Sequence, residues 1–300
     1  MTSAMLPEVI EQYKALQAGR GFVAGLDWSS VTITGRDRQS FLQSFCTNDI
    51  KRLTPGESCE AFFLNVKGKI VGHGLVTCRD EELVIIGVPG QSERLMPHFD
   101  RYIIREDVQL RDSTGERLFI ATKDAVSVDH ATAAFSVNVG DQVGRVVEGT
   151  RDRFPLAIAS LLELGLQQFG PEAVLAARIE AGVPLFGVDF DEHNLPQEVG
   201  RDRAAISFTK GCYLGQETVA RIDALGHVNH RIVVVRFSGD DVPGVGTELS
   251  HNGTAVGSVT SASFSPKYGS PLALAMVRRE ANGVGTRLES AAGECDVVGY

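Results

Sequence analysis

Past Gly226 the chain changes texture, and that change limits its possible folds more than any other feature. Short apolar pieces at 232–237, 247–250, 255–260 and 272–277 alternate with turns rich in Gly, Pro, Asn and Ser. Pieces of this length and spacing belong to a small β-sandwich or barrel. The preceding residues read differently. Val31 and Ile33 alternate with Thr32 and Thr34, which predicts a half-buried strand within 22–35, stopped by Gly35. A helix is expected next, with Asp37 as N-cap and Phe41, Leu42, Phe45 and Cys46 in one apolar stripe. Segments 61–66 and 70–78 read as two strands joined by a turn at 67–69, where Gly68 supplies the special backbone angle. A strand at 82–88 follows, then a helix from Ser92 that Pro97 interrupts, then a strand at 118–122. The clearest helix is 171–181, with Pro171 suited to N1 and Gly182 to the C′ stop. The expected class is therefore α+β: a body over 1–225, then a β-barrel over 226–300, with the boundary near 224–226.

Composition narrows the functions such a chain can have. It has 300 residues, 43% of them hydrophobic and 22% charged, which excludes disorder, collagen and coiled coil. Its length suits two or three packed units. With 29 Lys and Arg against 38 Asp and Glu, the formal charge is −9, which argues against non-specific grip on nucleic-acid phosphate. The barrel segment carries 6 basic and 7 acidic residues, so nearly all of the negative charge lies in the body. The N-terminus has no apolar core and carries Glu8 and Glu11 where a transit peptide avoids acids. The longest apolar runs, at 83–88 and 272–277, are strand-sized. The five cysteines (Cys46, Cys59, Cys78, Cys212, Cys295) are odd in number and widely spaced, the pattern of neither a disulfide framework nor a zinc ribbon. A reducing cytoplasm is the expected location, and no membrane partner is expected.

Several strings could carry chemistry. Gly19-x-Gly21-x-x-Ala24 follows a helical stretch, whereas a pyrophosphate loop needs a strand before it and a helix after it. His227-x-x-His230 with Cys212 offers ligand types for zinc or iron but no fourth ligand, so polar loop histidines are the favoured reading and no metal site is assigned. Asp189, Asp191, Glu192 and His193 read as a solvated acidic loop rather than a hard-cation site. The most unusual string is Lys210-Gly-Cys-Tyr-Leu-Gly-Gln-Glu217. Its glycines can bracket a turn that presents Cys212, and Lys210 could favour the thiolate. A buried, inert cysteine is the equal alternative.

The segment ISFTKGCYLGQETVAR at 206–221 resembles the signature of the YgfZ family of folate-binding proteins, related to the glycine cleavage T protein, an aminomethyltransferase. LDWSSVTITG at 26–35, LNVKGKI at 64–70 and RIEAGVP at 178–184, followed by Leu195-Pro-Gln197, agree in order. The resemblance covers most of residues 22–230. It implies a multi-lobed disc of two ferredoxin-like α+β units around a central channel, plus the C-terminal barrel, with tetrahydrofolate or a one-carbon derivative in the channel. Trp28, the one tryptophan, stands where the family places a folate-contacting indole. Asp27 and Glu180 are candidates for the amino edge of the pterin, since a carboxylate's two oxygens match paired donors. Arg178, Arg221 or Arg231 would suit the anionic glutamate tail, with Arg221 the chosen binding residue.

The chain also departs from the transferase. Where that enzyme carries an aspartate pair, this segment has Gly72 and His73. A glycine performs no acid–base work, and a histidine reaches differently. The resemblance thus implies an accessory protein for assembly or repair of iron–sulfur clusters, acting indirectly on tRNA modification, with iron–sulfur proteins or assembly factors as partners. Cys212, assisted by Lys210, is its expected functional thiol. The alternatives are a folate-dependent aminomethyl or one-carbon transferase using His73, and a metal-binding scaffold using Cys212, His227 and His230.

Overall fold

The computed structural model describes residues 6–24, 27–122, 133–139 and 142–299. The chain opens with α1 (Pro7–Gln17) and the short strand β1 (Gly21–Val23). It then builds a first unit from β2 (Ser29–Thr34), α2 (Arg38–Gln43), β3 (Ser58–Leu64), β4 (Ile70–Cys78), β5 (Glu82–Gly87), α3 (Ser92–Asp100) and β6 (Gln109–Asp112). The sheet runs β3-β4-β5-β2-β6 with antiparallel neighbours. A second unit follows: β7 (Arg117–Thr122), β8 (Ala133–Val139), β9 (Gln142–Thr150), α4 (Phe154–Glu163), β10 (Gln167–Gln168) and α5 (Pro171–Glu180). Its sheet runs β10-β1-β7-β9-β8, so β1 reaches across to join it. Two helices, α6 (Asp202–Ala205) and α7 (Gln216–Leu225), lead to the barrel strands β11 (His230–Phe237), β12 (Glu248–His251), β13 (Thr254–Ser265), β14 (Ser270–Arg278), β15 (Arg287–Ser290) and β16 (Gly293–Gly299). These six close in the order β11-β14-β13-β12-β15-β16. Closure removes the open edges that short strands would otherwise expose. Among the described residues, no helix is long and apolar enough to cross a membrane.

Strand β3 shows how the first sheet serves two cores. Cys59, Ala61 and Phe63 face the cluster made with α2 and α3, where Phe41, Leu42, Leu95 and Phe99 pack on Val31, Ile33, Val76 and Ile85. Phe62 and Leu64 point the other way, as the two-residue period of a strand requires, and join Ile70, Phe186, Phe190 and Ile206. Strand β11 splits in the same manner. Val233, Val235 and Phe237 fill the barrel, while Ile232 and Val234 enter the cluster of Phe62 and Leu64. Barrel and body therefore share a core, although the texture of the sequence divides them.

The α+β body and the closed barrel agree with the expected class. The strand expected within 22–35 is β2, which stops before Gly35, but it does not take in the start of that stretch. Phe22 lies in β1 and Val31 in β2, which belong to different sheets. Nor is β2 half-buried. Thr32 and Ser30 are buried, each 2.8 Å from the Ser113 hydroxyl, so side-chain hydrogen bonds replace the expected solvent. Asp37 occupies the N-cap position of α2 without capping it; its Oδ2 accepts from the backbone N–H of Asp107 at 2.8 Å. Helix α3 runs through Pro97, because buried Leu95 and Phe99 anchor it on either side of the missing donor.

Candidate functional site

The signature segment alternates between interior and surface. Ile206, Lys210 and Tyr213 are buried, whereas Phe208 and Cys212 are exposed. The Lys210 ammonium donates to the carbonyls of Gln43 at 2.7 Å, Cys46 at 2.7 Å and Asn48 at 2.8 Å. A cation on the carbonyls just past α2 meets both their unfilled hydrogen-bonding capacity and the negative helix end. Burial lowers the lysine's proton affinity, with the Cys46 thiol 3.6 Å away opposing that shift. Burial likewise pushes the Cys46 thiol up to about 11. Backbone bonds from Ser207 to Thr47 and from Leu214 to Ser44 fasten both ends of the segment to the same loop. Lys210, expected beside Cys212, thus directs its amine at the loop after α2. Cys212 stands exposed with no hydrogen-bond partner among the described residues.

Glycines fix the rest of the motif. Gly215 precedes α7 with φ of +80°, and a Cβ there would lie 2.6 Å from the Asn65 carbonyl. Gly68, at φ +76°, would place a Cβ 2.6 Å from Thr218. The β3–β4 turn and the start of α7 therefore pack backbone to backbone, joined by a 3.1 Å bond from the Thr218 hydroxyl to the Lys67 carbonyl. Arg221 lies exposed on α7 and is unpaired among the described residues. Arg178 is committed elsewhere. It donates to Asp189 at 2.6 Å, Ser261 at 2.7 Å and the Val183 carbonyl at 2.9 Å. Asp189, expected in a solvated loop, is consequently buried. Arg231 sits half-buried near Asp202, whose carboxyl burial raises to about 6 against the pull of Arg231.

Trp28 packs half-buried against Val84, Ile86 and Leu75 on the inner face of the first sheet, where Val146 of the second sheet meets them. Asp27 beside it is exposed. Glu180, at the end of α5, is neither a free helix charge nor open: Tyr13 donates to one oxygen at 2.5 Å and Ser265 to the other. It ties α5 to α1 and to the barrel, and a ligand contact there shares the carboxylate with those hydroxyls.

A second cluster on this inner face joins residues that no local string links. Glu60 accepts from His73 Nε2 at 2.7 Å and from Arg201 Nε at 2.9 Å, and its other oxygen takes the Arg201 terminal nitrogen at 2.5 Å. Burial opposes ionisation of Glu60, but the Arg201 and His73 bonds overcome it and hold the carboxyl down at about 2. The His73 ring lies 4.6 Å from Phe62 and 5.5 Å from Phe190. Its backbone is braced by the buried Gln91 amide, which accepts from His73 N–H at 2.7 Å and donates to the His73 carbonyl at 2.9 Å. Gly72 makes room for that amide: a Cβ there would lie 2.9 Å from Gln91 Oε1. Sequence reasoning noticed His73 but missed Glu60, Arg201 and Gln91. Glu60 and Arg201 stand 141 residues apart, and only the fold brings them together. Among the described residues no group of three or more His, Cys, Asp or Glu is placed to hold a metal ion, so the His227, His230 and Cys212 set is not assembled.

Two α+β sheets joined through a shared core to a closed six-stranded barrel define a T-protein-type architecture. Comparison with known proteins agrees. Residues 3–128 match the GCVT N-terminal domain and residues 230–297 the glycine cleavage T-protein C-terminal barrel domain. An aminomethyltransferase of Rippkaea orientalis is 26% identical over 93% of this chain and 84% of its own length. The tRNA-modifying protein YgfZ of Yersinia enterocolitica is 27% identical over 79% of this chain and 78% of its own. The crystal structure of aminomethyltransferase T from Bartonella henselae superposes with a TM-score of 0.83 at 16% identity, over 97% of this chain and 88% of that one. The chain belongs to the T-protein-like family that includes YgfZ.

Proposed function

We propose that this protein binds a reduced folate and serves as an accessory factor in assembly or repair of iron–sulfur clusters, with Cys212 as its functional thiol. The carrying observation is the contrast between Lys210 and Cys212: three carbonyls hold the lysine inside, and the cysteine two residues on faces out. A fixed loop with an outward thiol suits exchange with a partner protein or a cluster it carries. Support for folate comes from the family and from Trp28, whose half-buried indole offers a stacking face. Arg221, exposed and unpaired among the described residues, suits the anionic tail. The YgfZ relatives bear the name of tRNA-modifying proteins, and cluster-dependent modifying enzymes would carry this protein's effect to tRNA. A cytoplasmic location fits this role.

Two measurements test the reading. Tetrahydrofolate should quench Trp28 fluorescence saturably, and Cys212→Ala should fail to restore cluster-enzyme activity in cells lacking the protein. Full restoration by Cys212→Ala would remove the thiol from the mechanism. The Glu60–His73 bond favours a second reading, folate-dependent aminomethyl or one-carbon transfer. Turnover from small amine donors that disappears in His73→Ala would establish it.

A further inference from the structure

His73 and Trp28 each lie one residue beyond the end of a ladder that strand β5 shares. Phe62 pairs with His73, Gly74 with Gly87, and Gly87 with Ser29. Continuing both ladders by one residue sets His73 and Trp28 on either side of Val88. The two side chains are then two strand spacings apart, roughly 10 Å. A fused two-ring heterocycle placed on Trp28 would extend along this row toward His73.

What His73 offers such a ring is set by Glu60. The carboxylate is ionised and can only accept hydrogen bonds, so Nε2 must carry its proton. Arg201 holds the carboxylate in place from its far side. In the neutral imidazole the other nitrogen, Nδ1, is therefore a lone-pair acceptor and cannot switch tautomer without losing the Glu60 bond. Nδ1 has no hydrogen-bond partner among the described residues. Phe62, Phe190 and Gln91, which also touch His73, carry no charge.

We propose that His73 is the residue by which this site selects a reduced pterin over an oxidised one. The inference rests on the folate reading above. A tetrahydropterin presents N–H donors on its saturated ring, and the oxidised ring presents bare acceptor nitrogens at the same places. Nδ1 of neutral His73 pairs with the former and opposes the latter. An acceptor facing an acceptor leaves both groups desolvated and unmatched, the arrangement by which polar sites discriminate most strongly. Glu60 and Arg201 act as positioning residues, locking the tautomer.

Calorimetric titration with tetrahydrofolate and with folic acid, under nitrogen at pH 8, tests this. The unmodified protein should favour tetrahydrofolate about tenfold or more, the equivalent of one hydrogen-bond mismatch. His73→Leu should bind both ligands alike. Glu60→Gln, which releases the tautomer, should shrink the preference at pH 8 while still binding. Where its unmatched Arg201 prevents folding, the paired Glu60→Gln/Arg201→Gln chain serves instead. A preference that survives in His73→Leu overturns the proposal and leaves folate binding standing. No heat with either ligand in any form overturns the folate reading itself.

Discussion

The segment 206–221 and the inner face of the first sheet differ in how their parts come together. The signature segment is continuous in sequence, and its chemistry divides by depth, with Lys210 locked inside and Cys212 outside. The sheet face gathers Glu60, His73 and Arg201 from distant places into one hydrogen-bonded set. The first region organises a surface; the second organises charge within a partly buried space. A contiguous motif reports how a loop is held, and a dispersed cluster reports what a site can recognise.

The largest effect expected is on the lysine. Lys210→Met keeps the stem but removes the ammonium from three carbonyls, and should cost on the order of 3 kcal/mol or more in urea unfolding. A near-neutral result would show that the loop after α2 is held by backbone bonds alone. The cluster on the sheet face should reveal itself through acid. Because the folded carboxyl of Glu60 sits at about 2, its stabilisation is complete above the ordinary carboxyl range and is lost as pH falls from about 4.5 toward 2. The loss should approach 3 kcal/mol and be missing from the acid-unfolding profile of Glu60→Gln. An intermediate effect belongs to the seam between the regions. Gly215→Ala should lose about 2 kcal/mol, since its left-handed backbone and the Asn65 carbonyl both resist a side chain. The smallest is at Cys212. Cys212→Ser should change stability by less than about 0.5 kcal/mol, while abolishing the one fast thiol seen with an aromatic disulfide reagent on the native protein. Fast labelling at a second site would point first to Cys59, which is half-buried, since Cys46, Cys78 and Cys295 are enclosed.

Much of the architecture was legible because it is local. Close turn spacing marked the barrel, and Pro171 and Gly182 bounded α5 within a residue. Gly68 marked the β3–β4 turn. The division of 22–35 between two sheets was not legible, since strand alternation carries no information about which sheet receives a strand. The depth of Thr32 and Ser30 escaped for a related reason: hydroxyls bonded to Ser113 look like a solvent face in sequence. Among site residues, the exposure of Cys212 was one of two equal readings. Lys210 misled because nearness in sequence implied nearness of side chains, whereas the bends at 208–210 turn the lysine inward and leave the cysteine facing out. The partners of Glu180, Tyr13 and Ser265, come from opposite ends of the chain.

The Gln91 brace limits what position 72 can hold. Position 72 is glycine, and the amide that holds His73 occupies the space a side chain would need. An aspartate introduced at 72 collides with Gln91 and loosens the histidine beside it, while removal of Gln91 alone leaves a hole beneath two glycines, Gly72 and Gly87. A side chain at 72 and the Gln91 brace therefore compete for one space, and holding His73 in its present backbone position requires the glycine.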